Sequence, residues 1–207
     1  PNYNYYLSQN DDIRKMVTTD SGGIASFTQF KTDNMFNEGY AIRADWLEAV
    51  GMESPSTYDE LHDVLSAFQT QLNVAHPLAL TYSEGVGDSF SWGYGTTSGV
   101  MVKDGVVSWG VTSQEYYEYL CLMNAWYAEG IIDPESYSYT SNSDFGDEAL
   151  NGTVGFYYTQ SSNIDSWVEG NVDSSAKIEA VDYIVREAGE QLHFSPMMIN
   201  SMEGKDT

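Results

Sequence analysis

Gly39-Tyr40-Ala41-Ile42-Arg43-Ala44-Asp45-Trp46-Leu47-Glu48-Ala49-Val50-Gly51-Met52, followed by Pro55-Ser56-Thr57-Tyr58-Asp59-Glu60-Leu61, is the stretch that decides the fold. An apolar, strand-like run enters a short helix, and the helix stops at a glycine. Asp45 is placed to cap that helix, which runs to Val50, with Gly51 as its left-handed terminator. Thr57 and Glu60 match the S/T-x-x-E capping box, in which side chain and backbone satisfy each other reciprocally. Leu61, Val64, Leu65 and Phe68 then fall on one face at 3.6-residue spacing. The unit is strand, helix, turn, helix.

Working outward, residues 77–82 read as a short buried strand. Val100-Met101-Val102-Lys103 and Val106-Val107-Ser108-Trp109 flank Asp104-Gly105, a strong hairpin signal. Thr112 and Glu115 suggest a second capping box for a helix reaching Glu129, stopped by Gly130. Its expected buried stripe is Tyr116, Tyr119, Leu120, Met123 and Tyr127, with Trp126 alongside. A short helix over 145–150, a strand over 153–158, a helix near 163–169 and a weak strand within 178–185 follow. Residues 193–199 close the pattern. Upstream, 1–23 read as a polar helix and its exit, and 24–30 alternate at period two as a strand does. Strands and helices interleave, so the expected class is α/β, a mixed sheet flanked by helices.

The 207 residues suit one domain or one and a half, and 42% hydrophobic content supports a core. Eight basic residues against 31 acidic ones give a net charge of −23. Phosphate backbones and anionic membranes need Lys and Arg, so nucleic acid and acidic lipid are excluded as partners. Cys121 is the only cysteine, which rules out an intrachain disulfide. Its place between Leu120 and Leu122 predicts a buried, inert thiol. No apolar run approaches the ~20 residues of a membrane span.

Catalytic and metal signatures are missing. His62, His76 and His193 sit at no zinc-ligand spacing, and no calcium loop is present, so no metal and no cofactor are expected. There is no G-x-S-x-G elbow, and the glycines at 85, 87, 93, 95 and 99 match no phosphate-binding loop. Acid pairs for glycoside hydrolysis are available, but 31 acids make almost any pair available.

The loop 81–99 is more informative. A strand ends at Tyr82, and a glycine-rich run then carries Asp88, Phe90, Trp92 and Tyr94. Ligand sites in open α/β sheets lie beyond the carboxyl ends of strands. Aromatic rings beside a carboxylate suit a sugar, whose C–H face stacks on a ring while hydroxyls bond the acid. The same rings could instead cover the core. Sixteen Tyr and five Trp supply both kinds of place.

The opening motif resembles the family 1 extracellular solute-binding proteins, the maltose-binding-protein-like receptors of ABC importers. Their second lobe opens with a segment similar to R-x-D-W-L-x-x-x-G followed by P-x-T-x-x-E. Trp126-Tyr127-x-Glu129-Gly130 with Ile132-Asp133-Pro134-Glu135, Gly152-x-Val154-Gly155-Phe156 and Gly23-Ile24-Ala25-Ser26-Phe27 resemble further segments of lipoprotein-type members. Together they cover residues 22–170.

The resemblance implies one lobe of a type II periplasmic-binding-protein fold. Residues 1–30 would be the tail of a first-lobe helix and a hinge strand, 31–195 the second lobe, and 196–207 a crossover back. Phe27, Gln29, Phe30, Phe194 and Pro196 would carry the hinge. Tyr158, Thr159, Gln160 and Asn163, after the strand at 155–158, would face the cleft with the 88–94 loop; Ser162 or Asn163 could equally be a helix cap. The implied function is non-catalytic capture of a solute, an oligosaccharide before a peptide, for ABC permease subunits. The implied place is extracellular, on a membrane-anchored lipoprotein, or the periplasm. A carbohydrate-active hydrolase and a surface adhesion or sensor module are the alternatives. One lobe alone is expected to bind weakly or not at all.

Overall fold

The computed structural model describes residues 2–9, 11–24, 38–82, 85, 89–103, 105–141, 144, 146–170, 175–189 and 195–196. The expected strand at 24–30 falls outside this set beyond Ile24, which forms one antiparallel bridge with Thr18. The expected hinge residues Phe27, Gln29, Phe30 and Phe194 also lie outside the described residues, as does Asp88.

The elements run α1 (Asn2–Leu7), α2 (Asp11–Val17), β1 (Glu38–Arg43), α3 (Ala44–Val50), α4 (Tyr58–Leu72) and β2 (Leu78–Ala79). A 3-10 helix (Ser89–Tyr94), the hairpin β3 (Val100–Lys103) and β4 (Val106–Trp109), and α5 (Gln114–Ala128) follow. The chain continues with α6 (Gly146–Leu150), β5 (Phe156–Gln160), α7 (Ser161–Gly170), β6 (Ile178–Val181) and β7 (Ser195–Pro196). Four strands form a mixed sheet in the order β2-β5-β1-β6, and β4-β3-β7 form a second, smaller sheet. In the main sheet β1 is antiparallel to both β5 and β6, while β2 is parallel to β5.

The main sheet is buried on both faces because its side chains alternate between two clusters. Tyr40, Ile42, Phe156, Leu78 and Val181 point into the larger cluster with Leu61, Leu65 and Phe68 of α4 and Tyr119 and Trp126 of α5. Ala41, Ala79 and Tyr157 point the other way, against Ala149 of α6 and Trp167 of α7. Small residues on that face let the helices approach closely, and Tyr157 meets Trp167 edge-on at 5.2 Å.

Local chemistry sets the boundaries. The capping box at α4 forms as read: Thr57 Oγ1 accepts the Glu60 N–H, and Glu60 Oε2 accepts the Thr57 N–H. Gly51 takes the left-handed conformation that ends α3. Asp45, however, is not the cap. It sits in the first turn of α3, where its carboxylate binds Arg43 Nε and Nη2 at 2.8 and 2.6 Å and accepts the Lys177 N–H. Burial pushes the Asp45 carboxyl up, and those three partners together hold it below the usual carboxylate range.

The second capping box is also corrected. Ser113, not Thr112, caps α5 by accepting the Tyr116 N–H, and Thr112 Oγ1 turns back to the Trp109 carbonyl. On α5 only Tyr119 and Trp126 are buried, while Leu120 and Tyr127 of the expected stripe are exposed. Cys121 is exposed as well, contrary to the buried thiol expected. The helix is apolar over most of its circumference, so periodicity alone could not choose the packed face. The expected hairpin of β3 and β4 forms, with Val100 opposite Trp109 and Lys103 opposite Val106.

Candidate functional site

β5 ends at Gln160, and the beginning of β1 lies beside it: Glu38 pairs with Gln160 and Tyr40 with Tyr158, while Val181 of β6 faces Tyr40 from the other side. Because strand side chains alternate, Phe156, Tyr158 and Gln160 share one sheet face with Glu38 and Tyr40. The face passes from core to surface along the strands. Phe156 is buried, Tyr158 is half-buried, and Gln160 is exposed.

Tyr40 organises the aromatic part. Its ring stacks on Phe156 and meets Tyr158, Phe90 and Tyr183 edge-on, with centroids 5.1 to 5.8 Å apart. Its hydroxyl bonds Ser89 Oγ at 3.0 Å, which ties the strand to the 3-10 helix. That helix is locked in turn by Ser91 Oγ donating to the Thr96 carbonyl and by Tyr58 donating to the Phe90 carbonyl. Burial is what drives the Tyr58 phenol upward, keeping it a neutral donor.

Trp92 leaves this scaffold half-buried and lies over Tyr183 at 5.5 Å with the rings tilted by 35°. Trp92 Nε1 is buried and has no hydrogen-bond partner among the described residues. Trp92, Tyr183 and Tyr158, all partly accessible, are therefore linked through Tyr40 into one patch. Its polar border is the Glu38–Gln160 pair, where Gln160 Nε2 donates to Glu38 Oε1 at 3.2 Å.

The expected site residues distribute unevenly over this patch. Trp92, Tyr158 and Gln160 belong to it. Phe90 is 1% exposed, wedged between Tyr40 and Tyr58, so its ring faces belong to the core. Thr159 is 1% exposed on the opposite sheet face, where its Oγ1 accepts from Asn163 Nδ2 at 3.2 Å. Neither Asn163 nor Ser162 is a helix cap, because α7 already begins at Ser161. Tyr94 points away from Trp92, packing on Tyr58 and Tyr119 beneath the Arg186 guanidinium. Burial raises its phenol against the opposing pull of Arg186. Pro196 pairs with Met101 on the edge of the smaller sheet.

Tyr183 and Glu38 were not read as site residues. Tyr183 follows a weakly patterned strand, and Glu38 precedes the quoted motif by one residue. Their place depends on the pairing of β1 with β5 and β6, across more than a hundred residues.

No family model matches the chain. It is 23% identical over 209 residues to lipoprotein LipO of Bacillus subtilis strain 168, covering 96% of this chain and 38% of that protein. It is 24% identical over 194 residues to the fructooligosaccharide ABC transporter substrate-binding protein FusA of Streptococcus pneumoniae, covering 84% of this chain and 35% of FusA. The solved structure of FusA with kestose superposes with a TM-score of 0.67 at 22% identity, over 91% of this chain and 41% of that one. The chain is thus similar in sequence to an ABC-transporter substrate-binding protein and has the fold of such proteins. The alginate-binding protein AlgQ2 superposes with a TM-score of 0.71 at 19% identity, over 87% of this chain and 39% of its own. The chain spans little more than a third of the length of these two curated relatives, LipO and FusA.

A groove of about 420 Å³ lies at the other end of the main sheet, lined by Trp46, Leu72, His76, Asp133 and Thr153 among others. Trp46 follows β1, His76 precedes β2 and Thr153 precedes β5, so the length of β5 separates the groove from Gln160, roughly 17 Å at ~3.3 Å per residue. Its indole, Trp46, is occupied by the Arg43 guanidinium at 4.5 Å. The groove has few polar groups free to meet a ligand: Asp133 accepts from Glu135 and Tyr139, and His76 bonds the Gly130 carbonyl. Among the described residues no group of three or more His, Cys, Asp or Glu side chains could hold a metal ion.

Proposed function

We propose that this chain is the second lobe of an ABC-importer substrate-binding protein and forms one wall of a cleft that captures an oligosaccharide without altering it. The observation that carries the reading is the patch at the carboxyl end of β5. Trp92, Tyr183 and Tyr158 offer ring surface, and Gln160 and Glu38 offer an amide and a carboxylate for hydroxyls. An open patch of this kind does not enclose a ligand by itself. That suits a lobe that needs an opposing wall, since pockets for small ligands bury most of the ligand's surface.

In this reading the ligand enters between two lobes, a hinge closes, and the closed form docks on permease subunits. Residues 27–30 and 194–199 would carry the hinge; the pairing of Ser195–Pro196 with β3 gives the returning strand an anchor in this lobe. Asn163 would act through Thr159 and the start of α7. Asp88, outside the described residues, and Tyr94 would be further contributors from the same loop. The place of action would be extracellular, on a lipid-anchored protein, or the periplasm. A relative named for fructooligosaccharide makes an oligosaccharide the first ligand to test, with a peptide second.

Isothermal titration of the two-lobed protein with kestose and longer neutral oligosaccharides, run beside a glycosidase assay on the same panel, tests this. Saturable one-to-one binding without bond cleavage is expected. Turnover without stoichiometric binding would replace the receptor by a hydrolase.

A further inference from the structure

We infer that this lobe selects uncharged sugars, with Glu38 as the residue that turns away anionic ones; the inference rests on the cleft reading above and narrows it to a substrate class. Glu38 is exposed at the start of β1, on the same sheet face as Tyr158 and directly opposite Gln160. With Gln160 Nε2 held on Glu38 Oε1, the second carboxylate oxygen and the amide carbonyl remain to accept from a ligand. Sugar hydroxyls donate to both. The ionised group of a uronate or sulfated or phosphorylated sugar has no proton to donate there and meets a like charge instead.

Recognition of an anion calls for Arg or Lys, and the described basic residues near the sheet are engaged elsewhere. Arg43 binds Asp45 at the far end of the sheet, and Lys177 binds Glu48 at 3.0 Å. Arg186 binds Glu118 at 3.0 Å and covers Tyr94, and Lys103 lies 3.7 Å from Glu115. The remaining described pair, Arg14 and Lys15, belongs to α2, outside the sheet. The net charge of −23 adds a repulsive field of the same sign. Among the solved structures that share this fold, one is named for alginate, a polyuronate, and another holds kestose, a neutral trisaccharide. The chemistry at Glu38 fits the second kind.

The test is titration of the two-lobed protein with kestose and with an alginate trisaccharide at equal ionic strength, in wild type, Glu38→Gln and Asp63→Asn. Wild type should bind the neutral sugar at least tenfold more tightly, about 1.4 kcal/mol. Glu38→Gln should narrow the gap, with an unchanged melting temperature because the side chain is exposed. Asp63, 76% exposed on α4, controls for overall charge. Equal affinity for both sugars in wild type overturns the inference while leaving the receptor reading intact. A preserved gap in Glu38→Gln, or an equal narrowing in Asp63→Asn, overturns the role of Glu38. Binding of neither sugar removes the oligosaccharide reading itself.

Discussion

Gly93 lies so close to Ile184 that a Cβ on the glycine would come within 2.0 Å of the Ile184 carbonyl oxygen and 2.9 Å of the Tyr58 ring. The contact clamps the Trp92 helix to the segment that carries Tyr183, so it sets the spacing of the two rings. Gly110 is similarly pressed on Thr97, with 1.9 Å to its carbonyl oxygen. In both cases the obstacle is backbone, which cannot swing aside. Gly93→Ala should therefore cost about 3 kcal/mol, at the upper end of overpacking costs. At this chain length that is roughly 6–12 °C in melting temperature. Gly110→Ala should behave alike, and Gly99→Ala, with nothing within 4 Å, should be tolerated. Thermal unfolding by circular dichroism checks all three; a stable Gly93→Ala protein would mean the two segments are not clamped.

The glycine-rich loop illustrates what sequence could and could not give. Its composition marked a special place, but Gly93 is small for packing and not for a ligand. The capping box at Thr57 was legible because both partners lie within one turn. The cap of α5 shifted from Thr112 to Ser113 because neighbouring hydroxyls are chemically equivalent until the backbone chooses. Trp92, Tyr158 and Gln160 could be picked out because they lie at or beyond the carboxyl ends of strands that the apolar pattern marks. Tyr183 and Glu38 were not, since only the pairing of β1 with β5 and β6 puts them beside the others. In the sequence Phe90 can be either a ligand platform or core cover, because an aromatic in a loop carries no mark of burial; Tyr40 and Tyr58 enclose it from distant strands and helices.

Cys121 is exposed on α5, four residues after Tyr117, itself 64% exposed. A thiol reagent should modify one equivalent of cysteine in native buffer, with the kinetics of an accessible site. Mass spectrometry before and after denaturant reads the result directly. Labelling that requires denaturant would restore the packed stripe read from periodicity and would mean that α5 is rotated relative to this structure.

Asp45 and Arg43 couple stability to pH. The Arg43 side chain is 2% exposed and its carboxylate partner 17%, so the guanidinium depends on Asp45 for charge compensation. Asp45 is held below its ordinary value when folded. The stability it contributes is therefore present above the unfolded carboxylate range, near ~3.9. It is lost as pH falls through the lower folded value. Urea titrations between pH 2 and 6 should show this acid limb in wild type and a shallower one in Asp45→Asn. The variant should also lose about 3 kcal/mol at pH 7, in the range for removing one partner of a buried pair. An unchanged acid limb in Asp45→Asn would assign the pH dependence to other carboxylates.

The division of labour within the aromatic patch gives the sharpest test of the cleft. Tyr40 is 2% exposed and touches four rings, so its loss should act on stability. Tyr40→Ala is expected to cost about 3–5 kcal/mol, in the range for emptying a buried aromatic site. Trp92 is half-buried and stacks on Tyr183, with an indole N–H that has no acceptor among the described residues. If the proposed cleft reading holds, Trp92→Ala should lower oligosaccharide affinity of the full-length protein roughly 10- to 30-fold, as a hot-spot aromatic does, with only a small change in melting temperature. Trp92→Phe should restore part of the stacking but not the N–H, and so recover affinity only in part. Calorimetric titration and thermal melts on the three variants separate the two roles. If Trp92→Ala melts far below wild type while the sugar binds as before, the indole is core, and the ligand must contact the lobe elsewhere.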